Sequence, residues 1–128
     1  MNKTIFVTGI IFGALAVILG AFGAHSLGKL IDAEAIQTFE TGVRYQMYHA
    51  LLLLILANTK YVSENRKKPI FYLLIFGIIF FSFSIYLLAT NVLTIYDFKK
   101  IAMLTPFGGI LLIMGWILLG FRAYDWDD

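Results

Sequence analysis

The chain has 128 residues, enough for one domain. Hydrophobic residues make up 60% of it against 14% charged, with a mean hydropathy of +0.84, which excludes an ordinary soluble globular domain. The net charge of +2 comes without a long basic tract, which argues against nucleic-acid binding, and zero cysteines exclude disulfides, thiol redox chemistry and cysteine-ligated metal.

Three runs, 4–28, 70–96 and 101–121, hold no Asp, Glu, Lys or Arg. A bilayer core of about 30 Å needs roughly 20 helical residues to cross, and each run is long enough. The expected fold is all-α: a polytopic membrane protein whose single domain, 1–128, is a compact bundle of four transmembrane helices at about 4–27, 36–61, 70–90 and 98–122.

In the first helix, Gly9, Gly13, Ala16, Gly20 and Ala24 step by four, three, four and four residues and form one small-residue seam. Such seams let membrane helices approach closely. The N-terminus mimics a secretory signal with a small-residue site at residues 21–24, but the apolar run is too long and glycine-rich for cleavage to be expected. Asp32 is placed to cap a second helix from Ala33, with Glu34 in its first turn, the helix beginning in the interface. The polar loop 63–69 follows, and Pro69 suits the first turn of the third helix. Asp97 is placed to cap the fourth, where Pro106 falls inside the helix and is expected to kink it. Gly108 and Gly115, seven apart, make a second close-packing seam. Tyr61, Tyr96, Tyr124 and Trp126 flank the spans as interfacial aromatics. Four spans put six Lys/Arg residues on the side of both termini and four on the other, so the positive-inside rule places the termini in the cytoplasm.

The second helix alone carries charge within its hydrophobic stretch. Gln37, Glu40, Thr41, Arg44 and Tyr48 fall in one helical sector, and Glu40 and Arg44 are spaced i, i+4 as a favourable pair. Ionisable groups in a membrane segment are costly, so this face is expected to turn toward the other helices or toward water. Topology would then gather His25, Glu40, Arg44, Tyr45, Tyr48, His49 and Thr105 in the outer leaflet. Three readings compete for that cluster: a self-satisfied structural network, a ligand or lipid-headgroup site, and a metal site. The first is preferred, because buried charges need partners for stability alone. No tight spacing such as His-x-x-x-His supports metal, and Ser82 and Ser84 lack the glycine-flanked setting of a hydrolase nucleophile.

Taken in order, residues 20–25 (GAFGAH), 40–50 (ETGVRYQMYHA), 105–109 (TPFGG) and the pair Gly115-Trp116 resemble the domain-of-unknown-function 423 family of small membrane proteins. The resemblance covers nearly the whole chain and implies four transmembrane helices in a bacterial inner membrane. It implies no activity and no catalytic residues. One departure is Phe83, where the family pattern leads us to expect glycine, which makes the third helix bulkier.

The expected function is therefore non-enzymatic: support of membrane or envelope homeostasis by packing with lipids, with another copy or with other membrane proteins. No cofactor or metal is expected. The alternative is a small oligomeric transporter or channel, and behind it an intramembrane lipid-headgroup enzyme with His49 or His25 as base. Polarity that fades beyond His49 counts against the transporter, and the lack of a positioned nucleophile counts against the enzyme.

Overall fold

A computed structural model describes residues 2–126. Their regular structure is helical throughout: α1 (Lys3–His25), α2 (Ala33–Asn58), α3 (Glu64–Ile78), α4 (Ser84–Ala89) and α5 (Leu104–Tyr124). A π turn at Ile79–Phe83 joins α3 to α4, so Glu64–Ala89 is one continuous rod and the chain folds as four rods. Three segments are long and apolar enough to cross a membrane: Lys3–Lys29, Glu64–Ala89 and Phe98–Tyr124. α2 is not among them, since Glu40, Arg44, Gln46 and His49 interrupt its first two thirds.

Helix ends follow local chemistry. The Asn2 side chain accepts from Ile5 N–H at 3.1 Å to open α1, and Asp32 accepts from Ala35 N–H at 2.8 Å to open α2. Each satisfies a main-chain donor that a helix start leaves free.

α1 and α2 lie side by side along most of their length. Gly9 meets Ala50, Leu53 and Leu54, Gly13 meets Met47 and Ala50, Gly20 meets Val43, and Gly23 meets Phe39. A Cβ at Gly9 would stand 3.0 Å from the Ala50 carbonyl oxygen, so glycine is what allows the helices this close. Ala16 is buried in the same seam, whereas Ala24 is exposed and Gly23 closes the seam in its place. The main core lies in the half of the bundle nearer the termini, where Ile5, Leu53, Leu56, Ile70, Leu74, Ile78 and Leu112 bury one another. A smaller cluster of Leu27, Ile31, Phe39 and Ala89 closes the other end.

At the terminal end, Lys67 is only 1% exposed. Its Nζ donates to Glu64 Oε1 at 2.8 Å and to the Ala57 carbonyl at 3.2 Å, and that carbonyl also accepts from Asn2 N–H at 3.0 Å. Ala57 lies in the last turn of α2, where carbonyls lack helical partners and a cation is favoured. Arg122 donates to the Arg66 carbonyl, and Tyr61 packs edge-on against Trp126 at 4.9 Å, tying α5 to the same loop.

Several boundaries differ from the sequence expectation. The third rod begins at Glu64 rather than residue 70, so Pro69 lies inside α3 and not in its first turn. Its missing N–H would have faced the Asn65 carbonyl, and Asn65 is exposed at the terminal end. The fourth helix does not run unbroken from 98. Asp97 caps a short 3-10 turn, Phe98–Ile101, by accepting from Lys99 N–H at 3.0 Å, and α5 begins at Leu104. Pro106 is thus in the first turn of α5, where its N–H would have had no helical partner. The break comes before the proline, and the expected interior kink at Pro106 is absent. The second helix ends at Asn58, short of residue 61.

Among the glycines, the tightest contact is where α5 meets the π turn. A Cβ on Gly108 would stand 2.3 Å from Phe81 N and 2.6 Å from Phe80 C, both main-chain atoms that cannot swing aside. Gly120 has nothing within 4 Å of its would-be Cβ. Gly108→Ala should therefore destabilise the protein by about 1–3 kcal/mol through overpacking. Gly120→Ala should be neutral or stabilising by up to about 1 kcal/mol through helix propensity. Unfolding of both variants in mild detergent checks the contrast, and equal stability would refute the contact.

Candidate functional site

α2 carries two opposed stripes. Phe39, Gly42, Gln46, His49, Leu53 and Leu56 recur at helical spacing and are buried, while Gln37, Arg44, Tyr48, Leu51 and Ile55 recur at the same spacing and are exposed. The polar groups on the buried stripe make a belt of interhelical hydrogen bonds.

Gln46 is fully buried. Its Nε2 donates to the Phe12 carbonyl of α1 at 2.8 Å, and its Oε1 accepts from the Tyr86 hydroxyl of α4 at 2.6 Å. One side chain thereby joins three rods. Gly42, one turn earlier, admits the Tyr86 ring: a Cβ there would lie 2.7 Å from Tyr86 Cε1. The freed faces of the π turn are used in the same way. Ser82 donates to the Gly42 carbonyl at 2.7 Å, and Ser84 Oγ lies 3.0 Å from the Phe81 carbonyl and 2.6 Å from Thr105 Oγ1 of α5. Phe83, bulky where glycine was expected, packs on Phe12 at 6.2 Å and on Tyr86 at 5.8 Å, filling space between α1 and α4.

His49 closes the belt. The Trp116 indole N–H can only donate, and it meets His49 Nε2 at 3.0 Å. Nε2 is therefore the acceptor, and the proton sits on Nδ1, which donates to the Tyr45 carbonyl at 2.6 Å. The ring is held as one neutral tautomer with both nitrogens engaged. Tyr45 lies over Phe81 at 5.1 Å, and a groove of about 280 Å³ covers this junction, lined by Tyr45, His49, Phe81, Leu112, Ile113 and Trp116. It offers aromatic faces and no free histidine lone pair.

The residues expected to form one outer cluster are divided among three places. His49 and Tyr45 belong to the Trp116 junction, and Thr105 belongs to the Ser84 contact. Glu40, Arg44 and Tyr48 face outward, and His25 is exposed at the end of α1. Arg44 donates to Thr41 Oγ1 at 3.1 Å instead of pairing with Glu40. The sector that was expected to turn toward the other helices or toward water does not face the other helices of this chain. Gln46 is 200° round the helix from Arg44 at about 100° per residue, so burying one turns the other out.

Tyr86 was expected to reach the polar groups from the third rod and does so, whereas Gln46, Ser84 and Trp116 were not expected at the site. The signal that marks the buried stripe is Gly42, one turn from Gln46: a small residue beside a polar one on a membrane helix is the pattern of a packed face. Among the described residues, no buried side-chain nitrogen or oxygen lacks a partner, and no group of three His, Asp or Glu side chains could share a metal ion.

Comparison with known proteins gives this arrangement its context. Residues 19–109, which hold nearly the whole belt, match the family model described as "Protein of unknown function (DUF423)". The chain belongs to the DUF423 family. It is 39% identical to a UPF0382 membrane protein of Staphylococcus saprophyticus over 91% of this chain and 93% of that one. It is 37% identical to UPF0382 membrane protein YwdK of Bacillus subtilis, again over 91% and 93%, and 34% identical to UPF0382 inner membrane protein YgdD of Escherichia coli over 92% and 87%. No solved structure matches. With three apolar segments of spanning length, this DUF423 chain is a bacterial membrane protein.

Interhelical hydrogen bonds in membrane proteins contribute about 0.6 kcal/mol on average and up to about 1.7 kcal/mol. Tyr86→Phe and Gln46→Leu should each lower stability by about 1–2 kcal/mol, with Gln46→Leu the larger because it breaks two bonds. The double variant should cost less than the sum, since the two side chains share one bond. Reversible unfolding of the four proteins in bicelles measures that coupling, and strict additivity would show the bond to be worthless.

Proposed function

We propose that this DUF423 protein is a non-enzymatic, four-span membrane protein, with both termini in the cytoplasm, that supports membrane or envelope homeostasis by lateral packing with lipids or other membrane proteins. The observation that carries the reading is the saturation of the polar belt. Gln46, His49, Ser82, Ser84 and Lys67, the buried polar side chains among the described residues, are all spent on the chain's own groups. A catalytic base must have a lone pair within reach of a substrate proton, and His49 has both nitrogens occupied. Transport would call for polar groups lining a path through the bundle, and the half nearer the termini is a core of Leu, Ile and Phe.

The α1–α2 seam supports the reading of four spans. With α1 crossing the bilayer, its contact with α2 from Gly9 to Gly23 favours α2 crossing beside it. The short loop at 59–63 and both termini then share one side with Lys3, Lys60, Arg66, Lys67, Lys68 and Arg122, which favours the cytoplasm.

His49→Gln together with Trp116→Phe removes the imidazole while keeping bulk and some polarity. In a bacterium deleted for its own DUF423 protein and sensitised to membrane-active agents, this variant should restore resistance as the unchanged chain does, provided it accumulates in the membrane. Failure of a stable, membrane-inserted variant would point to chemistry at His49 and overturn the non-enzymatic reading. A C-terminal fusion should be active as a cytoplasmic fluorescent reporter and inactive as a periplasmic phosphatase; the reverse pattern would overturn the orientation.

A further inference from the structure

The outward face of α2 is unlike the other faces the bundle turns to lipid. α1 exposes Val7, Ile11, Ile18 and Phe22, and α5 exposes Ile110, Ile113 and Ile117. α2 exposes Arg44, Tyr48, Leu51 and Ile55, with Glu40 one turn above Arg44. The series 37, 41, 44, 48, 51, 55 alternates steps of four and three, the spacing that keeps a seam straight between two helices in a left-handed crossing.

Depth makes the two charges informative. Val43 is level with Gly20, which lies five residues inside the end of α1 at His25, so Arg44, one residue deeper, enters about 9 Å below that end. Its guanidinium runs back toward the start of α2 onto Thr41, which brings the positive charge close to the level of Glu40. Among the described residues, neither Glu40 nor Arg44 makes an ion pair. An exposed acid and an exposed base at one level, each without a partner in its own chain, are complementary to a rotated copy of themselves. A phospholipid phosphate would suit Arg44 but be repelled by Glu40, so the pair together favours a surface carrying both signs.

We propose that the outward face of α2 is the interface with a second copy of this chain, a parallel two-fold contact. Arg44 of each copy meets the partner's Glu40, and Tyr48, Leu51 and Ile55 pack in sequence below. The interface rests on α2 crossing the bilayer as proposed above, and it specifies which surface performs the lateral packing.

The chain has no cysteine, so single cysteines report cleanly. With the full chain in phospholipid vesicles, Leu51→Cys and Ile55→Cys should oxidise to disulfide dimers. Ile18→Cys, equally apolar on α1, should cross-link at least about tenfold less, because bridging needs Cα atoms within about 7 Å. Added to Leu51→Cys, either Glu40→Arg or Arg44→Glu should reduce cross-linking about tenfold by placing like charges together, and the double exchange should restore it. Restoration also shows that the reversals had not merely unfolded the protein. Equal cross-linking at Ile18→Cys, or a monomer at every protein-to-lipid ratio, would overturn the proposal. Loss with Arg44→Glu but not with Glu40→Arg would assign Arg44 to a lipid phosphate and overturn it as well. Labelling of Leu51→Cys by a water-soluble maleimide would overturn the transmembrane α2 beneath it.

Discussion

Gln46 has no exposed surface, and lipid offers an amide nothing to bond with, so its partners must come from the protein. Those partners are a main-chain carbonyl on α1 and a phenol on α4. Meeting both at once fixes the axial position of three rods, because a slip of one residue moves a helix by about 1.5 Å and breaks a bond of this length. The bonds themselves are weak on the scale of the bundle, about 0.6 kcal/mol on average. Most of the cohesion must come from packing at Gly9, Gly42, Gly108 and Gly115, where side chains or main chain fill the space a Cβ would take. Glycine contact brings the helices together, and Gln46 decides in which register they meet.

The π turn supports both roles. A turn of this kind widens a helix locally and shifts the faces that follow it. Here it points Ser82 at α2 and Ser84 at α5 while laying Phe80 and Phe81 main chain against Gly108. On a regular helix Ser82 and Ser84 would also lie 200° apart, facing different neighbours; the π turn shifts the residues that follow it, Tyr86 among them, relative to those before it. The third rod thus changes pitch at the level where it must touch α2 and α5 together. Phe83, unexpected by its bulk, lies within that turn and fills the gap toward α1.

Much of this fold is legible in the sequence because lipid sets strict lengths. Three charge-free runs announced three rods, and the glycine steps in the first and last helices announced where neighbours come close. The capping carboxylates Asp32 and Asp97 marked true helix starts, though Asp97 opens a short 3-10 turn and not α5 itself. Helical phase grouped Glu40, Arg44 and Tyr48 correctly on one face, but phase cannot say which way that face points. The expectation that this face meets the other helices or water assumed that charge must avoid lipid. It left out the competing demand of Gly42, Gln46 and His49 on the opposite face, which the bundle buries. The π turn left no trace in composition, since Phe, Ile and Ser suit an α-helix equally well. The Ser84–Thr105 and His49–Trp116 contacts join residues far apart in sequence, and no local pattern foretells them.

The two stripes of α2 divide the labour of the molecule. The inner stripe uses its polar atoms in holding the rods: among the described residues, no buried side-chain nitrogen or oxygen lacks a partner. On the outside, α1 and α5 present mainly hydrocarbon and aromatic surface. Such surfaces solvate well in lipid and discriminate poorly between partners, because acyl chains and Leu side chains are equally apolar. Discrimination in a bilayer needs polar or charged groups that lipid cannot satisfy. In the proposed interface, Glu40 and Arg44 supply them on α2, which is not among the three segments apolar enough to count as a span. On the proposed α2–α2 interface, the feature that makes α2 a poor membrane helix in isolation is the one that gives its outer face selectivity.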